Sequence, residues 1–474
     1  MLKSLNRLLT LLILCIVVVS GARAADLAAS IDSILNNPEL KYGVQAVSVK
    51  SLKTGKKLYE HNADLLMIPA SNFKLLVSST ILEHLDPDFT FETRIFSAGK
   101  ITNGVLNGDL IIKGGGDPVL STSDLTALAK QVKASGISAI TGNIVADDYL
   151  FDRQRLGTAW TWADLHYYYS AEISALNLNR NTVDIYVRPG KQAGDKAEVS
   201  LAPTTNYFTI ESATTTGAPG SRNTIWVSRA MGRNILRISG SIAQDAKITG
   251  RETLISVSEP QLYTGHVLLT ELDKQGIKAT GEVITARLPD DSKLLAIHKS
   301  PPLSRVLWLL NKPSDNLIAE VLLKYIGAHV NNDGSASGGA EVEEAFFKRI
   351  GMDMDGISIA DGSGLSRLDY ISANNLVTLL GYMYTSKHSK VFIDSLPIAG
   401  VDGSLYSRMR DTRANKNVRA KTGYIGRVSS LSGYVDTRSG EPLVFSIIMN
   451  HHKCPKSSAT ALQDKICALL ADLE

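Results

Sequence analysis

Ile68-Pro69-Ala70-Ser71-Asn72-Phe73-Lys74 is the stretch from which the rest of the chain can be read. Ala70-Ser71 opens a helical run in which Leu75, Leu76, Ser79, Leu82 and Leu85 recur at helical spacing until Asp86-Pro87-Asp88 stops it. A serine at a helix start with a lysine one turn later sets a hydroxyl beside an amine on one face. It also sets that hydroxyl near the unpaired N–H groups and the positive end of the helix dipole. Taken alone, Ser71 also reads as a helix cap with a surface lysine beside it. Ser97-Ala98-Gly99-Lys100 has the same spelling but lies in a strand-to-turn segment broken by Gly99.

On the N-terminal side, strands from Val44 to Val49 and Lys57 to Tyr59 flank a turn at Lys53-Thr54-Gly55. Beyond the helix the texture changes to short strands with turns at Asn103-Gly104, Asn107-Gly108 and Gly114-Gly115-Gly116-Asp117-Pro118. A helical stretch from Ser123 to Ser135 between strand-like segments suggests a small α/β unit. The triple glycine is not a phosphate loop: no Gly-Lys-Ser/Thr follows, and Asp117-Pro118 puts a charge and a missing N–H where phosphate donors belong. Strands dominate from Thr182 to Val283. Helices return at Arg305 to Leu310, Asp315 to Ile326, Ala340 to Ile350 and Asn374 to Tyr384. Two strands, Ser429 to Val435 and Leu443 to Met449, then lead to a last helix, Ser457 to Leu470. The two ends thus read as halves of one α/β domain interrupted by about 200 residues of β-rich insertion.

Two further elements stand in a context that fits Ser71 and Lys74. Ser314-Asp315-Asn316 begins a helix continuing through Leu317, Ile318 and Val321, with Ser314 expected as its cap. Lys421-Thr422-Gly423 runs through Ile425-Gly426 into a strand, where Gly423 would let a substrate backbone approach closely. Triplets such as Lys53-Thr54-Gly55, Ser221-Arg222-Asn223 and Ser372-Ala373-Asn374 spell the same words without that setting. The order Ser-x-x-Lys, Ser-x-Asn, Lys-Thr-Gly together with its context separates signal from chance.

Lys3 and Arg7, the apolar run from Leu8 to Val19 and Ala22-Arg23-Ala24 have the three parts of a secretory signal cleaved near Ala24. The run is shorter than the ~20 residues a membrane span needs, and no integral membrane segment is expected in the mature chain. Lys3, Arg7 and Arg23 leave with the signal and no acidic residue does, so the formal charge falls from +3 to 0. Nucleic acid is therefore not an expected partner. Cys454 and Cys467 remain in an oxidising compartment, and a bridge and two free thiols both stay open. His451-His452 beside Cys454 lacks zinc-ligand spacing and reads as a solvated turn; no metal is expected.

These elements are signatures of penicillin-binding proteins and serine β-lactamases. The chain more specifically resembles the class C low-molecular-mass penicillin-binding proteins, the D-alanyl-D-alanine carboxypeptidase/endopeptidase family of the penicillin-binding protein four type. The likeness covers essentially the whole mature chain. Besides the motifs above it includes Ser174-Ala175-Leu176, Ser314-Asp315-Asn316-Leu317-Ile318-Ala319-Glu320, Asp361-Gly362-Ser363-Gly364-Leu365-Ser366-Arg367, Gly400-Val401-Asp402-Gly403-Ser404-Leu405 and Ala420-Lys421-Thr422-Gly423.

The resemblance implies an α/β (α+β) transpeptidase/β-lactamase-like domain split by nested insertions. The expected boundaries are 1–24 for the signal, 25–87 and 287–474 for the catalytic domain, 88–107 and 180–286 for a β-rich domain, and 108–179 for a nested small α/β domain. Ser71 is the expected nucleophile. Lys74, kept neutral by burial and by Lys421, is its base; Ser314 relays the proton and Asn316 holds the substrate amide or Lys74. The Ser71 and Tyr424 N–H groups would hold the oxyanion, and Lys421 with Thr422 would bind the terminal carboxylate. Asp147 and Arg367 look like the positions that recognise the diamino acid of the stem peptide. Many relatives have Ser or Thr where this chain has Tyr424.

Peptidoglycan stem peptides are the implied substrates, β-lactams covalent inhibitors, and the periplasm the compartment. No cofactor is needed, and a homodimer is compatible with the sequence. The rival readings are a β-lactamase or esterase using the same serine, marked by fast penicillin turnover, and a non-catalytic wall-binding or sensing protein, marked by penicillin capture without D-alanine release. The long gap from Lys74 to Ser314 weighs against an ordinary β-lactamase.

Overall fold

The computed structural model describes residues 26–247 and 251–474, so the expected signal and Cys15 lie outside the described residues. A helix described over 26–35 (α1) precedes strands β1 (Val44–Ser51) and β2 (Lys57–His61) and then helix α2 (Lys74–His84). The insertion follows with β3 (Glu92–Thr102), β4 (Val105–Lys113), α3 (Thr122–Ala134), β5 (Ala139–Ile140) and β6 (Ile144–Asp147). It continues through β7 (Thr182–Arg188), β8 (Glu198–Ala202), β9 (Thr209–Gly217), β10 (Trp226–Arg229), β11 (Ile235–Ala243) and β12 (Thr253–Ser256). Helix α4 (Pro260–Lys274) and strands β13 (Lys278–Ala279), β14 (Val283–Thr285) and β15 (Lys293–Lys299) close it. Helices α5 (Leu303–Asn311), α6 (Asn316–Asn331), α7 (Ala336–Arg349), α8 (Ala373–Thr385) and α9 (Ser389–Ser395) come next. The chain ends with β16 (Arg419–Ile425), β17 (Val428–Asp436), β18 (Pro442–Asn450) and α10 (Lys456–Asp472).

The two ends meet in one antiparallel sheet of order β16-β17-β18-β1-β2. Its central strands alternate between two cores, as the period of two requires. Val47 and Val49 of β1 pack with Ile31 of α1 and Ile466 and Leu470 of α10, whereas Ala46 and Ile448 face Leu76 of α2 and Leu380 of α8. The N-terminal strand β1 pairs with the C-terminal strand β18 over eight residues, from Val44↔Asn450 to Ser51↔Leu443. The expectation of one domain built from both ends therefore holds in the strand pairing itself.

The insertion divides differently from the expected boundaries. Strands β3, β4, β5, β6, β13, β14 and β15 form a single seven-stranded sheet, and β4 pairs with β3 from Val105 to Lys113. A break at 107/108 would cut through that strand. Asn107-Gly108 is accordingly not a turn: Gly108 faces Gly99 across the ladder, and a Cβ on Gly108 would lie 1.9 Å from the Ala98 carbonyl oxygen. The close crossing of the two strands explains the glycines. At the other end β15 pairs with β3, so the insertion extends to Lys299 rather than stopping at 286. The stretch expected as strand-dominated also contains the 15-residue α4, whose Tyr263, Val267, Leu268 and Leu272 are buried. Pro260 at its first turn is the start signal that reading missed.

The triple glycine joins the insertion to the catalytic part. A Cβ on Gly114 would lie 2.3 Å from the Ala175 carbonyl oxygen, one on Gly115 2.2 Å from that of Glu92, and one on Gly116 2.7 Å from the Tyr325 ring of α6. Cys454 and Cys467 are both free thiols, which decides the open alternative in favour of no bridge. Among the described residues no helix is long and apolar enough to cross a membrane.

Candidate active site

Ser71 sits in a 3₁₀ turn, Ala70–Phe73, which runs directly into α2 at Lys74. The serine therefore precedes the α-helix by one turn rather than opening it. Ala70 is held at φ +48°, a left-handed conformation that a residue with a Cβ adopts only under constraint from its surroundings. The constraint is visible on both sides of the turn. Ser430 Oγ of β17 donates to the Pro69 carbonyl at 2.5 Å. The buried Asn72 amide, oriented with its nitrogen donating to the Lys421 carbonyl at 2.6 Å, accepts from Ser432 Oγ at 2.9 Å. Gly423 lies against the same turn: a Cβ there would approach Ser430 Oγ to 2.2 Å, the Pro69 oxygen to 2.7 Å and the Asn72 nitrogen to 3.0 Å. Gly423 thus lets β16 touch the serine turn, a different close approach from the one expected of it.

Lys74 is fully buried, and its Nζ donates to Ser71 Oγ at 2.9 Å, Asn316 Oδ1 at 2.7 Å and the Ser363 carbonyl at 2.6 Å. Burial pushes its amine down to about 8, against the pull of Asp361, Glu320, Asp315 and Asp369. Burial is the largest influence, and the like charge that Lys74 and Lys421 place on each other is seen in the lowering of Lys421. The partner set then fixes the direction of proton transfer. Asn316 Oδ1 and the Ser363 carbonyl can only accept, so a neutral Lys74 keeps its two N–H groups on them and turns its lone pair toward the one partner with a proton to give, Ser71.

Asn316 is the first residue of α6, and its Nδ2 donates to the Tyr169 carbonyl at 2.8 Å, which fixes the amide with its oxygen toward Lys74. Asp315, not Ser314, caps that helix, accepting from the Ile318 N–H at 3.1 Å, and its carboxylate also meets Arg180 Nε at 3.0 Å. Ser314 stands at φ +67° before the cap and accepts from Lys421 Nζ at 2.8 Å. Its own hydroxyl proton is left for a second partner in the cleft. Lys421 is fully buried on the edge strand β16, and burial followed by the charge of Lys74 lowers its amine well below the usual lysine range.

Beneath Lys74 lies a set of buried acids that sequence reasoning did not single out. Glu320 of α6 accepts from the Gly362 and Ser363 N–H groups at 3.0 and 2.9 Å, and so aims the Ser363 carbonyl that holds Lys74. Asp361 accepts from the Gly364 N–H at 2.6 Å, the Ser366 N–H at 2.7 Å and, from the insertion, Trp160 Nε1 at 2.8 Å. Burial and then Asp361 raise the carboxyls of Glu320 and Asp369. The signals for this set were the family-like motifs Ser314 to Glu320 and Asp361 to Arg367, in which Glu320 and Asp361 carried no assigned role.

Ser71, Ser314, Asn316, Thr422 and Tyr424 line one cleft of about 1590 Å³. Its far wall comes from the insertion, with Asp164, Tyr167, Tyr169, Arg180 and Arg251. Asp147 is not brought to it. That carboxylate is buried at the end of β6, accepting from the Tyr149 and Leu288 N–H groups at 3.1 and 2.9 Å and meeting Lys113 at 3.3 Å. The insertion brings two other acids to the cleft: Asp164, which accepts from Tyr169 Oη at 2.9 Å, and Asp184, which is paired with Arg251 at 3.3 Å. Arg367 is exposed beside the cleft wall, donating to the Gly426 carbonyl at 2.6 Å.

Comparison with known proteins gives a consistent result. A family model described as the D-Ala-D-Ala carboxypeptidase 3 (S13) family matches residues 27–473. The chain is 37% identical over 468 residues to a D-alanyl-D-alanine carboxypeptidase of Actinomadura sp. (strain R39), covering 96% of this chain and 86% of that one. It is 28% identical over 407 residues to the D-alanyl-D-alanine carboxypeptidase DacB of Haemophilus influenzae, covering 85% and 84%. Among solved structures, penicillin binding protein 4 of Haemophilus influenzae matches with a TM-score of 0.80 at 25% identity over 92% of this chain and 97% of that chain.

Proposed function

The chain belongs to the D-Ala-D-Ala carboxypeptidase 3 (S13) family, and from that membership we propose that Ser71 is the nucleophile through which it releases the terminal D-alanine of peptidoglycan stem peptides. The enzyme is a serine-type D-alanyl-D-alanine carboxypeptidase. The observation that carries the assignment of Ser71 is Lys74 Nζ at 2.9 Å from its Oγ inside the cleft, with two acceptors that leave the lysine lone pair only the serine to face.

In the proposed sequence, neutral Lys74 takes the Ser71 proton as the oxygen attacks the carbonyl of the penultimate D-alanine. The N–H groups of Ser71 and Tyr424 receive the oxyanion. Ser314, held by Lys421, relays that proton from Lys74 to the departing amine of the last D-alanine, which leaves Lys74 neutral again. Water then hydrolyses the ester with Lys74 again as base, and no cofactor takes part. Thr422 lines the carboxylate side; Asp164, in place of Asp147, faces the diamino acid side, with Arg367 outside the cleft wall as a second recognition residue for a stem that extends past it. Penicillin acylates the same serine and leaves slowly, because its ring remains attached where the second alanine would depart. The size of the cleft, beyond the 300–1,000 Å³ usual for small ligands, supports D,D-endopeptidase action on cross-linked stems as well. The site of action is the periplasm.

Release of D-alanine from a stem pentapeptide tests this: the mature enzyme should release it and Ser71→Ala should not. Residual release by Ser71→Ala above about one part in a thousand of wild type would remove Ser71 as nucleophile.

A further inference from the structure

Resting on the carboxypeptidase reading, we propose that Lys456 is a specificity-determining residue: held over the Tyr424 ring at the cleft wall, it is the cation that receives the free C-terminal carboxylate of the substrate. Its Nζ lies 4.5 Å from the centre of that ring, and both residues line the cleft that holds Ser71, Ser404 and Thr422. On β16, Thr422 and Tyr424 are two residues apart and so project from the same face, with Lys421 and Gly423 on the other. The aromatic ring therefore stands next to Thr422, at the position where many relatives carry a hydroxyl.

Two other cations near this wall, Lys421 and Arg367, are occupied. Lys421 is fully buried on the opposite face, with its amine on Ser314 and the Thr422 carbonyl, and burial disfavours its charged form. Arg367 holds the Gly426 carbonyl and does not line the cleft. Lys456 is exposed and has no ion-pair partner among the described residues. It is also the first residue of α10, where a positive charge opposes the helix dipole, so helix stability does not account for it. A cation resting on a ring face is steered without being neutralised, and remains available to an anion. The Ser404 and Thr422 hydroxyls, 2.6 Å apart, supply neutral donors beside it.

The test compares a stem pentapeptide ending in free D-alanine with the same peptide ending in D-alanine amide, using wild type, Lys456→Met and Lys456→Arg, with thermal unfolding as the check on folding. Lys456→Met keeps the side chain on the ring and removes the charge. The preference for acid over amide in kcat/KM should fall roughly five- to tenfold, through KM, while Lys456→Arg keeps it. An unchanged preference in Lys456→Met, or an equal loss on both peptides, overturns the assignment. A wild type that releases no D-alanine from either peptide overturns the carboxypeptidase reading itself, and Lys456 with it.

Discussion

At the residue scale the chemistry depends on which protonation state Lys74 holds. Burial lowers its amine to about 8, and only the deprotonated form can accept the serine proton. Acylation of Ser71 should therefore quicken as pH rises through about 8 and level off above it; an acylation rate that falls across that range would assign the base elsewhere. Lys74→Ala should slow acylation by about 10²–10⁴-fold, the usual contribution of a positioned base. Ser71 and Lys74 were legible because their relation is local, three residues along a helical turn. Asp164 was not, since nothing along the chain distinguishes it from Asp147. The difference lies in where the fold puts each carboxylate: Asp147 is buried on Lys113 and two backbone N–H groups, whereas Asp164, held by Thr161 and Tyr169, lines the cleft.

At the scale of elements, the serine turn is positioned by contacts from strands that come much later in the chain. Gly423→Ala would drive a Cβ into the Pro69 oxygen and the Asn72 nitrogen. We expect about 1–3 kcal/mol of destabilisation and at least a tenfold loss of penicillin acylation, with far-ultraviolet circular dichroism unchanged. Wild-type acylation in that variant would mean that the contact does not set the turn. The insertion has a similar hold through Trp160, whose indole donates to Asp361 in the loop that carries Ser363. Trp160→Phe should lower kcat about three- to tenfold with KM little altered, since it removes one hydrogen bond to a buried carboxylate and nothing from the cleft lining. Strand and helix placement was largely legible from periodicity, but β16 was not: Lys421-Thr422-Gly423 read as a lead into the strand from Ser429, whereas those residues form a strand of their own, Arg419–Ile425. Helix α4 is hidden among strands because its start is marked only by Pro260, after a Glu259 whose left-handed conformation leaves no sequence signal. The Asn107-Gly108 pair looked like a turn because a glycine that permits two strands to cross closely leaves the same mark as one that bends the chain.

For the whole molecule, both ends of the chain and its insertion are needed to make one cleft. Strand β18 lies between β17 and β1 in the sheet, so ending the chain after Glu441 removes the centre of that sheet together with α10. The truncated protein should fail to fold and to bind penicillin; soluble, acylatable protein from it would contradict the topology. The split domain was legible because both ends carry α/β texture around motifs that must meet. The division inside the insertion was not, because a sheet assembled from residues 92–113, 139–147 and 278–299 leaves no local boundary to read. The assembled cleft has one central chemical consequence, acyl transfer to Ser71. Intact-mass measurement after benzylpenicillin, followed by mapping of the labelled peptide, tests it on wild type and Ser71→Ala. Wild type should gain one long-lived penicilloyl group on the peptide containing Ser71 and the variant none; an adduct on another residue, or one that persists in Ser71→Ala, would contradict the mechanism.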